Sequence, residues 1–279
     1  MEIIKAGVIG DPIEHSLSPT IHNHWLKEKN IKGKYEAIKI SKNELEQYLL
    51  SFSEKEITGI NITIPHKECA YHIVKNFAII DETTKKLEAI NCLYKKNNKI
   101  YATNTDYQGF KQSFEKQANL KLEDKKIALI GIGGAGKAIL HGLLNEKNNK
   151  IYLINRTYEK ALIYQQSFEN QVVAGAMSEL EEVLQAVDIV INASSMGLNN
   201  ENNLEIDFSK LKNQKICYDI VYKPEITKFL SDAKTHNHKI ITGLGMLIYQ
   251  AQPAFEHFFQ EKIEVKQDIF TLLNEKINP

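Results

Sequence analysis

Gly131, Gly133 and Gly136 stand at G-x-G-x-x-G spacing directly after the apolar run 127–130, and a helical pattern opens behind them. A strand handing over to a helix through such a turn can hold a dinucleotide. The first glycine permits the tight turn, the second lets backbone N–H groups approach a pyrophosphate, and the third lets helix and strand pack closely. The helix N-terminus adds the positive end of its dipole. NAD sites carry a carboxylate for the ribose 2′-hydroxyl about twenty residues further on. Here a second apolar run ends instead in Asn155-Arg156-Thr157. No carboxylate repels a 2′-phosphate there, and the Arg156 guanidinium can bind one. The expected cofactor is NADP.

A hydride carrier needs a partner for the proton. Polar residues cluster at the ends of apolar runs in the first half, in His15-Ser16-Leu17-Ser18-Pro19, Asn61-Ile62-Thr63-Ile64-Pro65-His66-Lys67, Ala89-Ile90-Asn91 and Asn104-Thr105-Asp106. Each has a plain structural use by itself. Ser18 can cap a helix that begins at Pro19, Ser16 and Thr63 suit turns, and Asn91 and Asn104 suit strand ends. Lys67 can be a solvated helix-end lysine, and Asp106 the cap of a helix from 107. Together they supply hydroxyls, amides, one amine and one carboxylate, the set that holds a small polyhydroxylated acid. A hydroxyl cannot lose hydride unless its proton also leaves, so a general base is required. Lys67 supplies the amine, and Asp106 a carboxylate to orient it.

These groups need elements to place them. Strand-like runs fall at 5–10, 34–40, 57–64, 89–94 and 99–103, with helical patterns at 19–30, 42–53 and 66–75. That alternation predicts an α/β layer structure with a mainly parallel sheet. From 107 the pattern restarts with a helix at 107–117. Strands at 127–131, 150–154, 171–174, 187–192, 215–221 and 239–242 then alternate with helices, as in a doubly wound Rossmann sheet. The tail, 244–276, is helical in pattern and has no strand to pair with, so it is expected to pack back on the first domain. The expected division is a substrate-binding domain, 1–106 plus 243–279, and an NADP-binding domain, 107–242.

The 279 residues carry equal numbers of basic and acidic side chains, so no net field favours nucleic acid or an acidic membrane. No apolar stretch reaches the length of a membrane span, and the N-terminus lacks the h-region of a secretory signal. Cys69, Cys92 and Cys217 are odd in number and far apart, which argues against a disulfide framework or zinc site and for the reducing cytoplasm. Burial as small apolar residues is the expectation for all three. A monomer and a homodimer both remain open.

The chain resembles the shikimate dehydrogenases nearly end to end. The motifs that carry the resemblance occur in order: Ser16-x-Ser18-Pro19, Asn61-x-Thr63-x-Pro65-His66-Lys67, Ala89-Ile90-Asn91, Asn104-Thr105-Asp106 with Gly109-Phe110, and the glycine turn 131–136. Asn155-Arg156-Thr157, Asn192-Ala193-Ser194-Ser195-Met196-Gly197, Asp219-Ile220-Val221-Tyr222, and Gly243-Leu244-Gly245-Met246 through Gln250 follow. The resemblance implies NADPH-dependent, reversible reduction of 3-dehydroshikimate to shikimate in aromatic amino-acid biosynthesis. Ser16, Ser18 and Tyr222 would hold the substrate carboxylate, and Thr63, Asn91, Asp106 and Gln250 its hydroxyls. Lys67 would be the acid/base group, paired with Asp106, and Asn61 would support that corner. Gly133, Gly134 and Ala135 would cradle the pyrophosphate, with Asn155, Arg156, Thr157 and Lys160 around the 2′-phosphate. Gly243 and Met246 would lie against the nicotinamide.

Three departures from the family pattern occur. Ile220 replaces a commoner methionine beside the nicotinamide, Lys160 replaces a commoner arginine, and Ser194-Ser195 replaces Thr-Ser or Thr-Pro. A lysine gives a point charge without the planar fork, which weakens preference for the 2′-phosphate. Two other functions fit the same motifs: a quinate/shikimate dehydrogenase of dual specificity, and a non-catalytic NADP-binding sensor of the pathway.

Overall fold

The apolar runs of the first hundred residues pair into one sheet in the computed structural model, which describes residues 3–278. The elements run β1 (Ile4–Gly10), α1 (Ser18–Glu28), β2 (Gly33–Lys39), α2 (Leu45–Leu50), β3 (Gly59–Ile62), α3 (Lys67–Val74), β4 (Ile79–Ile80), α4 (Glu82–Leu87), β5 (Cys92–Lys96), β6 (Lys99–Thr103) and α5 (Asp106–Ala118). The strand order is β2-β1-β3-β5-β6-β4. β1 lies parallel to β2 and β3, and β4 parallel to β6, but β5 runs antiparallel to both its neighbours. For the β5–β6 pair the reason is local. Asn97 and Asn98, at φ 50° and 57°, form the two-residue turn joining β5 to β6, and two left-handed central residues are what a tight hairpin of twisted strands requires.

Ile60 and Ile62 of β3 face a core that contains Leu45 and Leu49 of α2 and Ala70 and Val74 of α3. With side chains alternating along a strand, Asn61 points the opposite way. On that opposite side Trp25 of α1 meets Phe255 edge-on, their ring centroids 5.5 Å apart. Phe255 belongs to the C-terminal helices, which do pack back on the first sheet as their apolar pattern predicts.

The second half continues with β7 (Lys126–Ile130), α6 (Gly134–Asn145), β8 (Lys150–Ile154), α7 (Tyr158–Ser167), β9 (Val172–Gly175), α8 (Leu180–Ala186), β10 (Ile189–Asn192), β11 (Ile216–Asp219), α9 (Lys228–Thr235), β12 (Lys239–Ile241), α10 (Leu244–Phe259) and α11 (Gln267–Ile277). The sheet order is β12-β11-β10-β7-β8-β9, every pair parallel. Counted from β7 this is 3-2-1-4-5-6, the doubly wound dinucleotide-binding order.

The chain divides into two compact units, Met1–Gly109 with Ile248–Leu273, and Phe110–Leu247 with Asn274–Pro279. The three breaks fall inside helices α5, α10 and α11, the first two a few residues past the expected 106/107 and 242/243. Each helix runs through its break without a Gly/Pro-rich linker, so no change of composition marks the division. Several local expectations also shift. Helix α1 begins at Ser18, with Leu17 at the cap position and no side-chain capping bond, so Ser18 is not the cap. The segment 79–87, which lacks periodicity, forms β4 and α4, the latter capped by Asp81 accepting from the Thr84 N–H. Ala89–Asn91 is loop rather than strand. Cys92 and Cys217 are buried, but Cys69 on α3 is exposed. No described helix is long and apolar enough to cross a membrane.

Candidate active site

Lys67 is the first residue of α3, and the start of that helix is anchored from two sides. The buried His66 ring contacts the Ile40 carbonyl through Nε2 at 2.6 Å, and the Ile90 N–H donates to the Lys67 carbonyl at 3.0 Å. The second contact carries the loop 89–91 to Lys67. There Lys67 Nζ donates to Asp106 Oδ2 at 2.6 Å, with the two side chains only 13% and 6% exposed. Asn91 Nδ2 donates to the other oxygen of Asp106 at 2.8 Å and to Thr105 Oγ1 at 2.9 Å. A carboxylate accepting on both oxygens holds a fixed plane, and the ammonium it orients is nearly enclosed. This is the geometry of an oriented proton donor.

Asp106 is free for this role because it does not serve as an Asp cap. It is itself the first residue of α5, and its N–H donates to Asn104 Oδ1 at 3.0 Å. Gln250 joins the cluster from α10: its carbonyl accepts from Thr105 Oγ1 at 2.9 Å, and its Oε1 lies 3.4 Å from Asn91 Nδ2. Asn61 Nδ2 donates to the Asn91 carbonyl at 3.0 Å. Thr63 follows β3, its N–H on the Ile9 carbonyl. Ser16 and Ser18 meet at the start of α1, where the Ser18 N–H donates to Ser16 Oγ at 3.3 Å. The structure thus brings Asn61, Lys67, Asn91, Asp106 and Gln250 into one bonded cluster and sets Ser16, Ser18 and Thr63 on the same unit. Thr105, a member of the Asn-Thr-Asp motif without an assigned role, proves to join Asn91 to Gln250.

Tyr222 lies on the second unit, after β11, where burial raises the pKa of its phenol. That unit also carries the glycine turn. Gly131 has φ +93°, the left-handed region that L side chains rarely adopt. A Cβ on Gly136 would stand 2.4 Å from the Gly131 carbonyl oxygen, whereas one on Gly133 would meet nothing within 4 Å. The turn is therefore closed against its own backbone at Gly136 and open at Gly133, the cap residue of α6, whose first turn holds Gly134 and Ala135. An open face at a helix N-terminus fits a pyrophosphate.

At the end of β8, Asn155 Nδ2 bridges to the Thr157 carbonyl at 2.8 Å, and Arg156, Thr157 and Lys160 are exposed beside it. Arg156 is the only arginine in the sequence. A hydroxyl and two cations with no carboxylate at the strand end fit a 2′-phosphate.

Gly243 has a packing reason of its own, since a Cβ there would lie 2.4 Å from the Ile220 carbonyl oxygen. Met246 is buried and Ile220 half-buried. The loop bearing Ile220 is held by Asp219, which is fully buried. Its Oδ1 accepts from Asn192 Nδ2 at 3.0 Å and from the Val221 N–H at 3.0 Å, and its Oδ2 accepts from Thr227 Oγ1 at 2.6 Å. Burial pushes the Asp219 carboxyl up to about 6 against the pull of these donors. Asn192 Oδ1 in turn accepts from Ser194 Oγ at 2.6 Å, and Ser194 fills the space beside Gly131. The serine that departs from the family pattern keeps a hydroxyl where one is used.

Two family models match the chain: the shikimate dehydrogenase substrate binding domain over residues 8–93, and shikimate / quinate 5-dehydrogenase over residues 112–245. A curated relative from Pelagibacter ubique, shikimate dehydrogenase (NADP(+)), is 36% identical over 270 residues, 96% of this chain and 97% of the relative. A crystal structure of a shikimate dehydrogenase in complex with NADP+ is similar with a TM-score of 0.87 at 30% identity, over 99% of this chain and 96% of that one. The shikimate 5-dehydrogenase of Thermus thermophilus, in complex with NADP(H) and shikimate, gives 0.84 at 25% identity, over 99% and 100%.

Proposed function

The chain belongs to the shikimate dehydrogenase family, and from that premise we propose that it reduces 3-dehydroshikimate to shikimate with NADPH, Lys67 carrying the proton. The observation that carries this reading is the 2.6 Å pair of Lys67 with Asp106, closed on its other oxygen by Asn91. The glycine turn would hold NADPH, which when bound would supply the hydride for the ketone carbon. Lys67 delivers a proton to the carbonyl oxygen, and in the reverse direction its amine accepts that proton from the hydroxyl. Asp106 orients the amine and accepts from a substrate hydroxyl, while Asn61, Thr63, Asn91 and Gln250 offer amides and a hydroxyl to the rest of the ring. Ser16, Ser18 and Tyr222 take the carboxylate.

Apart from Tyr222, the substrate-binding residues belong to the first unit, and NADP binding belongs to the second, through Gly131, Gly133, Gly134, Ala135 and Gly136 for the pyrophosphate and Asn155, Arg156, Thr157 and Lys160 for the 2′-phosphate. Ile220, Gly243 and Met246 form the nicotinamide side. The free cysteines support a reducing compartment, the cytoplasm.

The decisive assay follows absorbance of NADPH with 3-dehydroshikimate, and of NADP with shikimate or quinate. Wild type turns over, and Lys67→Ala loses roughly 10²–10⁴-fold in kcat, the range of a general acid/base. Absence of turnover by wild type would support a sensor, and equal rates on quinate a dual-specificity enzyme. Wild-type turnover by Lys67→Ala removes the assignment of the proton donor.

A further inference from the structure

We propose that Tyr35 is a positioning residue for the reduction, its phenol fixing Asn61 so that Asn61 and Asn91 present their amides correctly to substrate and to Asp106. The proposal rests on the reading above and extends it to a residue two strands away from Asn61.

Tyr35 on β2 pairs with Ala6 of β1, and Ala6 with Gly59 of β3. Paired residues of adjacent strands share a face, so a large side chain here looks along a row of two very small ones. Asn61, two residues beyond Gly59, lies on that same face. The Tyr35 hydroxyl reaches it and donates to Asn61 Oδ1 at 2.7 Å, wholly buried.

The direction of that bond matters. The Asn91 carbonyl can only accept, so it holds the nitrogen end of the Asn61 amide at 3.0 Å, and the oxygen end must find a donor elsewhere. Among the described residues Tyr35 is that donor. With both ends held, the second N–H of Asn61 has a single direction left to offer a ligand. The Asn91 carbonyl also accepts from the Ile62 N–H at 2.9 Å, and the Asn91 amide donates to Asp106 Oδ1 at 2.8 Å. Tyr35, Asn61, Asn91 and Asp106 therefore form one continuous series of contacts, ending at the group that orients Lys67.

The outer end of the series is immobile. Asn23 clamps the Tyr35 backbone on both sides, accepting from its N–H at 3.0 Å and donating to its carbonyl at 2.8 Å. The ring lies flat on His22, centroids 4.0 Å apart and 3° from parallel. A phenylalanine would fill the same stack, so packing alone does not call for a phenol.

Tyr35→Phe leaves the Asn61 oxygen buried without its donor. Loss of one buried hydrogen bond should lower kcat/KM for 3-dehydroshikimate by roughly 5- to 30-fold, with the KM for NADPH unchanged. In an Asn61→Ala background the same substitution should do nothing further, because its effect passes through that amide. Trp25 fluorescence checks that each variant folds. A Tyr35→Phe enzyme with wild-type kcat/KM, or one whose loss multiplies with that of Asn61→Ala, overturns the proposal and leaves the proposed function standing. A wild-type chain inactive on 3-dehydroshikimate overturns both.

Discussion

His22 tests what a buried, unpartnered imidazole costs the first unit. Neither ring nitrogen meets a hydrogen-bonding group among the described residues, and burial pulls its pKa from 6.5 down to about 3. The unfolded chain takes up a proton near pH 6.5 that the folded chain refuses until about pH 3. The unfolded state thus binds more protons across that window, and stability falls as pH falls through it. At about 1.36 kcal/mol per unit, lowering the pH to about 5 removes about 2 kcal/mol. His22→Phe keeps a ring against Tyr35 and eliminates the proton. Trp25 is the only tryptophan in the sequence, its ring centroid 5.8 Å from that of His22, so its fluorescence follows unfolding of this unit in urea. Between neutral pH and about pH 5 the wild-type midpoint should fall by about 1 M more than the variant's, given slopes of roughly 1–3 kcal/mol per M. Equal falls in both proteins would refute the reasoning from burial.

Three further outcomes follow from the second unit. Gly133→Ala should melt with wild type yet bind NADPH about 10-fold or more weakly by fluorescence titration, while Gly136→Ala, colliding with the Gly131 carbonyl, should lose about 1–3 kcal/mol of stability; equal melting of the two variants counts against the closed turn. As the only arginine, Arg156 makes phenylglyoxal a single-site reagent: one adduct by mass spectrometry should abolish tight NADPH binding, and 2′-phosphorylated nucleotides, but not NAD, should protect. Asp219, raised from 3.8 to about 6, favours folding at low pH and loses that contribution as pH rises through about 6. Relative to Asp219→Asn, wild type should weaken by about 3 kcal/mol over that rise at about 1.36 kcal/mol per unit, read by denaturation at the two ends of the window; a constant difference between the proteins disproves it.

The legible parts of this molecule are those whose chemistry is local. The glycine turn announces itself because one bend of backbone needs all three glycines within a few residues. Lys67, Asn91 and Asp106 are legible as a set because strand ends gather polar groups, although only the Ile90 contact to Lys67 shows how the 89–91 loop arrives there. What escapes is long-range or short. Tyr35 gives no signal, since its partner lies across an intervening strand whose register no pattern specifies. Asp219 and Asn192 read as motif members, but their mutual contact depends on β10 and β11 lying side by side. β4 and α4 are too brief for periodicity, and the Asn97-Asn98 turn, which reverses β5 against β6, is the one readable clue to the mixed sheet. The unit boundaries are hidden because α5, α10 and α11 run through them.

The second unit draws nearly all its residues from one continuous stretch, with only the segment Asn274–Pro279 added from the end, while the first unit is interrupted by that stretch. During synthesis the ribosome releases residues 110–247 before the segment Ile248–Leu273 exists, so the Rossmann sheet can close while its companion is still waiting for its last helices. Until Phe255 emerges, Trp25 lacks the aromatic partner that covers it, and the nascent first unit carries that apolar surface bare. The later-encoded half of the enzyme thus has its sheet complete first, and the amine-bearing half waits for a helical segment made near the end of translation.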